Sequence, residues 1–334
     1  MERMKDMKKI LFGLGALLLL GAAGCGSEEA ADEIHIGYFP NFTHITTVVA
    51  LENGYFEEEM GEEVNIETST FPDGSAFMEA MSTQDIDIGT VGPSPATTTY
   101  LRNPEHEIIA GAVNGGAVLA TREDSGIESV EDLDGMRVAI PTIGSTQDIM
   151  LRKALDEVGL GVDDDGGTIS LVPQAPADTS TLFLQGDVDA AATQEPWGVY
   201  LENQANADIL LDEEEFAWGT ESTTTVVTAR KSFTESNEEL TQAYLRAHAR
   251  AVEFIEENQE EAVELFVNHI EETTGNELDY EETLEASERL NPTYEINEEV
   301  LQEMATISYE AGYMQSDEIE GLVNRTFLEA ALEE

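Results

Sequence analysis

Between Asp32 and Arg230 the chain alternates short β-rich runs, most of them continuously apolar, with stretches of helical spacing. Unbroken runs, as opposed to alternating ones, mark strands whose two faces are both covered by helices. Candidate strands are 33–39, 64–70, 86–91, 108–113, 118–121, 136–140, 168–172, 188–193 and 224–228; helical segments fall at 43–53, 75–82, 146–158, 179–185 and 196–203. This alternation predicts an α/β protein with mostly parallel sheets flanked by helices. After Arg230 the pattern turns wholly helical. Ser236 and Glu239 read as a capping box ahead of Leu240, Tyr244, Ala247, Ala251, Phe254 and Ile255, and further helices are expected near 260–270, 280–290, 297–311 and 323–332.

Two glycine-containing passages interrupt the α/β part, Asn114-Gly115-Gly116-Ala117 and Gly219-Thr220-Glu221-Ser222. A length of 334 residues suits two lobes. The expected division is a first lobe of 33–115 plus 222–334 and a second lobe of 116–221, joined by two hinge crossings. Such a connection allows closure on a ligand.

The first residues read as an address. Arg3, Lys5, Lys8 and Lys9 precede an apolar stretch, 10–23, too short to span a bilayer comfortably. It ends Leu20-Gly21-Ala22-Ala23-Gly24-Cys25, which resembles a bacterial lipoprotein signal, with Ala22 where leucine is usual. On that reading 1–24 is the signal peptide, Cys25 is lipidated and 25–32 is a linker; an ordinary secretory signal or an uncleaved anchor is the alternative. Export is expected in each case, to the periplasm or the outer face of the cytoplasmic membrane. Met4 and Met7 are alternative starts. A single cysteine excludes a disulfide framework and any cysteine-rich zinc module.

Charge sets a further limit. The chain holds 15 Lys+Arg against 70 Asp+Glu, a net −55. Without the four bases and two acids of 1–24 it would carry 11 against 68, or −57. Nucleic acid needs basic stripes that are missing here, so it is excluded as a partner. With 41% apolar residues the chain can still bury a sizeable core. At about 1 M salt the Debye length falls to about 3 Å, so the acidic surplus reads as adaptation to saline or alkaline surroundings. Asp163-Asp164-Asp165-Gly166-Gly167 lacks the ligand spacing of a calcium loop and reads as a solvated turn.

In parallel α/β sheets ligands gather beyond the carboxyl ends of strands, where helix N-termini present free N–H groups. Four junctions there are rich in small and neutral polar residues. Phe39-Pro40-Asn41-Phe42-Thr43-His44 offers Asn41 and His44; Phe71-Pro72-Asp73-Gly74-Ser75 opens a helix at Gly74 and Ser75. Gly92-Pro93-Ser94-Pro95 places Ser94 as N-cap and Pro95 first in the helix. In Pro141-Thr142-Ile143-Gly144-Ser145-Thr146-Gln147-Asp148, Ser145 and Asp148 fit a capping pattern that leaves Thr146 and Gln147 free to reach a ligand. Asn114 and Thr224 lie at the expected hinge. Glu195, in Gln194-Glu195-Pro196-Trp197, has two open readings. It is either a carboxylate favoured by a helix dipole, or one that accepts from a ligand amine beside a flat Trp197 wall.

Catalytic signals are poor. His35, His44, His106, His248 and His269 show no metal-ligand spacing, and no nucleophile elbow, P-loop or Rossmann fingerprint occurs. No catalytic residue, metal ligand or cofactor is assigned.

The stretches Ile36-Gly37-Tyr38-Phe39-Pro40-Asn41, Ala50-Leu51-Glu52-Asn53-Gly54-Tyr55-Phe56, Asp87-Ile88-Gly89-Thr90-Val91-Gly92-Pro93, Asp124-Ser125-Gly126-Ile127, Gly144-Ser145-Thr146-Gln147-Asp148 and Glu195-Pro196-Trp197 share one order and spacing. Over about 33–260 the chain resembles substrate-binding proteins of ABC importers in the alkanesulfonate, taurine and nitrate group. The resemblance implies a two-lobed periplasmic-binding-protein type II fold that captures a small solute, as a monomer, and docks on a permease driven by a cytoplasmic ATPase. It carries ligand contact to Asn41, Ser94, Gln147 and Glu195. A nitrate or bicarbonate binder would be expected to set a base beside the anion, yet Arg102, Arg122, Arg137, Arg152, Lys153 and Arg230 all fall outside the four junctions. A sulfonate, with taurine fitting if Glu195 faces the cleft, is therefore favoured. A binder of thiamine-precursor pyrimidines, stacked on Trp197, Phe39 or Tyr38, is an alternative. The related thiamine-pyrimidine synthases use pyridoxal phosphate and a cysteine-rich motif that has no counterpart here.

Overall fold

A computed structural model describes residues 33–333; the signal, Cys25 and the linker to residue 32 lie outside the described residues. The strands are β1 (Glu33–Tyr38), β2 (Asn65–Thr70), β3 (Ile88–Val91), β4 (His106–Gly115), β5 (Ala117–Arg122), β6 (Arg137–Ile140), β7 (Ser170–Pro173), β8 (Ala190–Gln194), β9 (Ala207–Leu211), β10 (Thr223–Arg230) and β11 (Leu290–Pro292). They form two sheets, ordered β11-β4-β10-β3-β1-β2 and β7-β6-β8-β5-β9.

Helices α1 (Ile45–Glu52), α2 (Tyr55–Met60), α3 (Gly74–Thr83) and α4 (Pro93–Arg102) connect strands of the first sheet. Helices α5 (Thr146–Glu157), α6 (Thr179–Gln185) and α7 (Trp197–Ala205) belong to the second. The C-terminal part holds α8 (Lys231–Ser236), α9 (Glu238–Glu257), α10 (Gln259–Thr274), α11 (Tyr280–Ser287), α12 (Glu298–Glu310) and α13 (Thr326–Glu333). Each sheet has apolar clusters on both faces, as unbroken runs such as Ile108–Val113 require. Two clusters of the first sheet also take in residues from second-sheet helices, Val199 of α7 and Ile149 of α5. The sheets are thus packed together through helices.

The α/β class and the two sheets are as expected, but the strands are mixed in direction. Four pairings are parallel and five antiparallel. The reason is the two crossings. The chain leaves the first sheet through β4 and re-enters through β10; β10 runs against β3, and β5 runs against β8. At the first crossing Gly115 and Gly116 both have φ of +67°, a left-handed conformation that glycine adopts without steric cost. Gly115 N–H donates to Ser222 O at 2.8 Å, so the two crossings lie side by side.

Other local expectations change. Ser236 ends α8, and Asn237 precedes α9 without a side-chain cap, so no capping box forms there. The C-terminal part is not wholly helical, because Leu290–Pro292 pairs with β4. Strand β9, a five-residue edge strand after Asn206 in left-handed conformation, was not anticipated.

Candidate functional site

The carboxyl ends of β1, β3, β6 and β8 converge on a cavity of about 730 Å³ between the two sheets. Asn41, His44, Gly74, Ser75, Thr146 and Gln147, which come from the junctions, line it, and so does Thr224 at the start of β10. Ser94, Asn114, Glu195 and Trp197 do not.

Ser94 is misplaced by the expected cap. Gly92 is the N-cap of α4 and Pro93 its first residue, which turns the Ser94 side chain inward to 1% exposure. Asn114 sits within β4, opposite Thr223 and Asn291. Trp197 packs on Tyr200 with ring centroids 5.6 Å apart. Glu195 is fully buried behind the cavity floor. Its Oε1 accepts from Arg289 Nη1 at 2.7 Å and its Oε2 from Val199 N–H at 3.1 Å. A ligand amine has no place in that arrangement. Burial pushes the Glu195 carboxyl up to about 7 against the pull of Arg289. Burial also opposes the Arg289 charge, but Glu195 and Glu202 outweigh it and hold the guanidinium above its usual value.

The helix N-termini at the cavity are not equivalent. At α3 the Asp73 carboxylate accepts from Ser75 N–H at 2.9 Å and Ala76 N–H at 3.0 Å, so that end is already occupied by an anion. At α4 Pro93 and Pro95 carry no N–H. At α5 Ser145 Oγ accepts only from Asp148 N–H, at 3.3 Å, and the Thr146 and Gln147 N–H groups come before any intrahelical acceptor. Thr146, 3% exposed, has a hydroxyl without a hydrogen-bond partner, and Gln194, 8% exposed, has a free Oε1. Both line the cavity. The α5 end is therefore the one that offers unspent donors to a negative group.

Asn41 Oδ1 accepts from Thr43 N–H at 3.1 Å and its hydroxyl at 2.8 Å, which leaves the NH₂ group as the donor it can give. Thr224 spends its hydroxyl on Val113 O at 3.0 Å. His44 Nδ1 lies 2.8 Å from Thr90 Oγ1, and burial pushes its pKa down to about 3. It is a neutral hydrogen-bonding group here, and a titration of its imidazole by NMR is expected to show no protonation between pH 5 and 8; a midpoint near 6.5 would contradict this. Burial likewise lowers His106 and His248 to about 4. Against 6.5 in the unfolded chain, these three groups add stability that is full above pH 6.5 and lost as pH falls toward 4 and 3.

Sequence reasoning missed Arg102 and Tyr313. Gly92, Pro95, Thr98, Thr99 and Arg102 form one face of α4 along the cavity, so helical spacing carried the signal for Arg102. Tyr313 arrives from beyond α12 and left no local sign. Arg102 is the one arginine or lysine among the described lining residues, and Asp73 and Glu79 are the carboxylates. The described residues contain one group with metal-ligating side chains close together, Glu33, His35 and Glu67, at the opposite end of β1 from the cavity.

Comparison with known proteins agrees with this geometry. A protein of Escherichia coli K12 named for binding aliphatic sulfonates is 26% identical over 262 residues, 77% of each chain. The taurine-binding periplasmic protein of the same organism is 28% identical over 200 residues, 60% of this chain and 59% of that one. The alkanesulfonate-binding protein SsuA of Xanthomonas axonopodis pv. citri, solved with MOPS, superposes with a TM-score of 0.70 at 20% identity, covering 90% and 98% of the chains. The nitrate-binding protein NrtA of Synechocystis PCC 6803 superposes at 0.76 and 14% identity, covering 91% and 89%. The fold is that of the type II periplasmic binding proteins. The NMT1-like family matches residues 27–267, and the chain belongs to that family.

Proposed function

We propose that the protein is the extracytoplasmic solute-binding component of an ABC importer, and that its solute is a small aliphatic sulfonate. The observation that carries this is the unspent donor set at the α5 N-terminus, Thr146 hydroxyl and the Thr146 and Gln147 amides, in a cavity whose one strong cation is Arg102. Three sulfonate oxygens accept from such donors without a dedicated counter-ion. A cavity of about 730 Å³ also leaves room for more than taurine's two-carbon chain. If the solute is a zwitterion, Asp73 or Glu79 takes the ammonium, the role Glu195 cannot fill. The sulfonate names of the Escherichia coli relatives support the class.

In this reading residues 33–115 with 222–334 and residues 116–221 are the two bodies that close on the solute. The closed form docks on a membrane permease driven by a cytoplasmic ATPase, and no bond in the solute is made or broken. The chain acts as a monomer, tethered by lipid at Cys25, and its acidic surface serves a saline medium.

Calorimetric titration in about 1 M salt tests this, with taurine, ethanesulfonate, MOPS, nitrate and a methylpyrimidine as probes. Saturable binding of at least one sulfonate is expected, with Thr146→Val, which removes the unspent hydroxyl and keeps the side-chain shape, weakening it about tenfold, the size of one hydrogen bond to a charged group. Binding of nitrate or the pyrimidine with no response to any sulfonate would overturn the assignment.

A further inference from the structure

Tyr313 touches both walls of the cavity. It follows α12, on the first-lobe side, and lines the cavity. Its hydroxyl donates to Asp148 Oδ2 at 2.7 Å and accepts from Arg152 Nη2 at 2.5 Å, both on α5 of the second lobe. Its main-chain oxygen accepts from Arg102 Nη2 at 3.2 Å on α4 of the first. The Arg152 guanidinium lies 4.9 Å from its ring centroid. Asp148 is fully buried, and its Oδ2 also accepts from Gly144 N–H at 2.8 Å. The phenol thus joins Arg152, whose Nε donates to Asp148 Oδ1 at 2.9 Å, in holding the carboxylate that shapes the turn from Gly144 to Gln147, the same turn that presents the unspent donors, and it is the one of the two that comes from beyond α12.

A second contact stiffens the same side. Glu303 of α12 accepts from Lys153 Nζ of α5 at 2.9 Å and from Trp218 Nε1 at 2.6 Å. These bonds hold α5 against α12 whether or not Tyr313 is present, so the phenol can act on the turn without carrying the whole lobe contact.

We propose that Tyr313 is the latch that sets solute affinity: it ties the donor turn of the second lobe to the first lobe, in the solute-free chain as in the bound one, and orients Arg102 at the same time. It is a positioning residue and reaches the solute through Asp148 and the turn. The proposal rests on the solute-binding reading above. Opening the cleft must break the Tyr313 contacts with Asp148 and Arg152, so removing the hydroxyl speeds release more than it slows capture.

The test uses Tyr313→Phe, which keeps the ring, and Lys153→Met as a control at the neighbouring contact, in the full chain. Stopped-flow binding of ethanesulfonate and taurine is expected to show dissociation about tenfold faster for Tyr313→Phe, association within about twofold, and an unchanged unfolding midpoint. Lys153→Met also removes a tie between α5 and α12 but touches nothing in the turn, so it should leave Gly144 exchange at the parent's value, whatever it does to the rates. Hydrogen exchange of the Gly144 amide in solute-free protein gives a readout that needs no solute; it should rise about tenfold in Tyr313→Phe. Unchanged Gly144 exchange overturns the latch, as does unchanged dissociation or a matching loss in both rates and the unfolding midpoint. Failure of every sulfonate to bind the parent chain, with Gly144 exchange raised in the variant, would fault the solute assignment and leave the latch standing.

Discussion

Above about pH 8, where the Glu195 carboxyl is charged beside Arg289, Arg289→Ala is expected to lower the unfolding free energy by about 3–5 kcal/mol, the usual cost of leaving a buried charge without its partner. Arg289 stands just before β11 of the first sheet and bonds Glu195 Oε1, after β8 of the second sheet, and Glu202 Oε2 of α7, both at 2.7 Å. Glu195 has no exposed surface, so water cannot replace the lost guanidinium. The Arg289 main-chain oxygen also accepts from Gly116 N–H at 2.8 Å, and Glu195 N–H donates to Gly116 O at 2.8 Å. The ion pair therefore sits against the first crossing between the sheets. Replacing both partners together, Arg289→Met with Glu195→Met, should recover most of the loss, because the desolvation cost of both charges goes with them. Urea unfolding at fixed salt concentration measures both; a single-variant loss below about 1 kcal/mol would contradict a buried, uncompensated carboxylate.

A second large effect is expected at Gly92. Its backbone, φ −63° and ψ 142°, is open to any residue, so a side chain there does not strain the first lobe. Across the cleft, however, a Cβ at Gly92 would lie 2.6 Å from Thr146 Oγ1. Threonine is stiff at χ1 and cannot swing aside freely. Gly92→Ala should therefore act as a wedge between the lobes. Overpacking of this kind costs about 1–3 kcal/mol, which corresponds to a loss of about 5- to 150-fold in solute affinity. Thermal unfolding without solute should stay near the parent's. Equal affinity in calorimetry would mean that Gly92 and Thr146 do not meet in the bound form.

The parts of this architecture that were legible in the sequence are those fixed by neighbours along the chain. Ser145 and Asp148 are three apart at a strand-to-helix junction, so their cap, and the freedom of Thr146 and Gln147, could be read directly. The run 108–113 announced a covered strand because both faces are apolar. Glu195 could not be read, since its partner Arg289 is 94 residues away and only the packing of two lobes brings them together. Ser94 was misread through a choice between two prolines: Pro93 takes the first helical position, and that one-residue shift turns Ser94 into the core. Strand β11 has three residues and exists through its pairing with β4. Tyr313 was invisible for the same reason, because nothing near it in sequence hints at Asp148.

The mixed strand directions have the same origin. Local patterns distinguish strand from helix, but direction depends on which crossing delivers the strand to its sheet. Here β10 comes back from the second sheet and inserts between β3 and β4 with the opposite sense.

The most direct measurement of the central claim is small-angle X-ray scattering of the chain in about 1 M salt, with and without a saturating sulfonate, followed by mass spectrometry of the solute recovered. The radius of gyration should fall on binding, and the sulfonate should return chemically intact. An unchanged radius with the sulfonate bound, or a recovered product of different mass, would contradict capture by closure of two lobes.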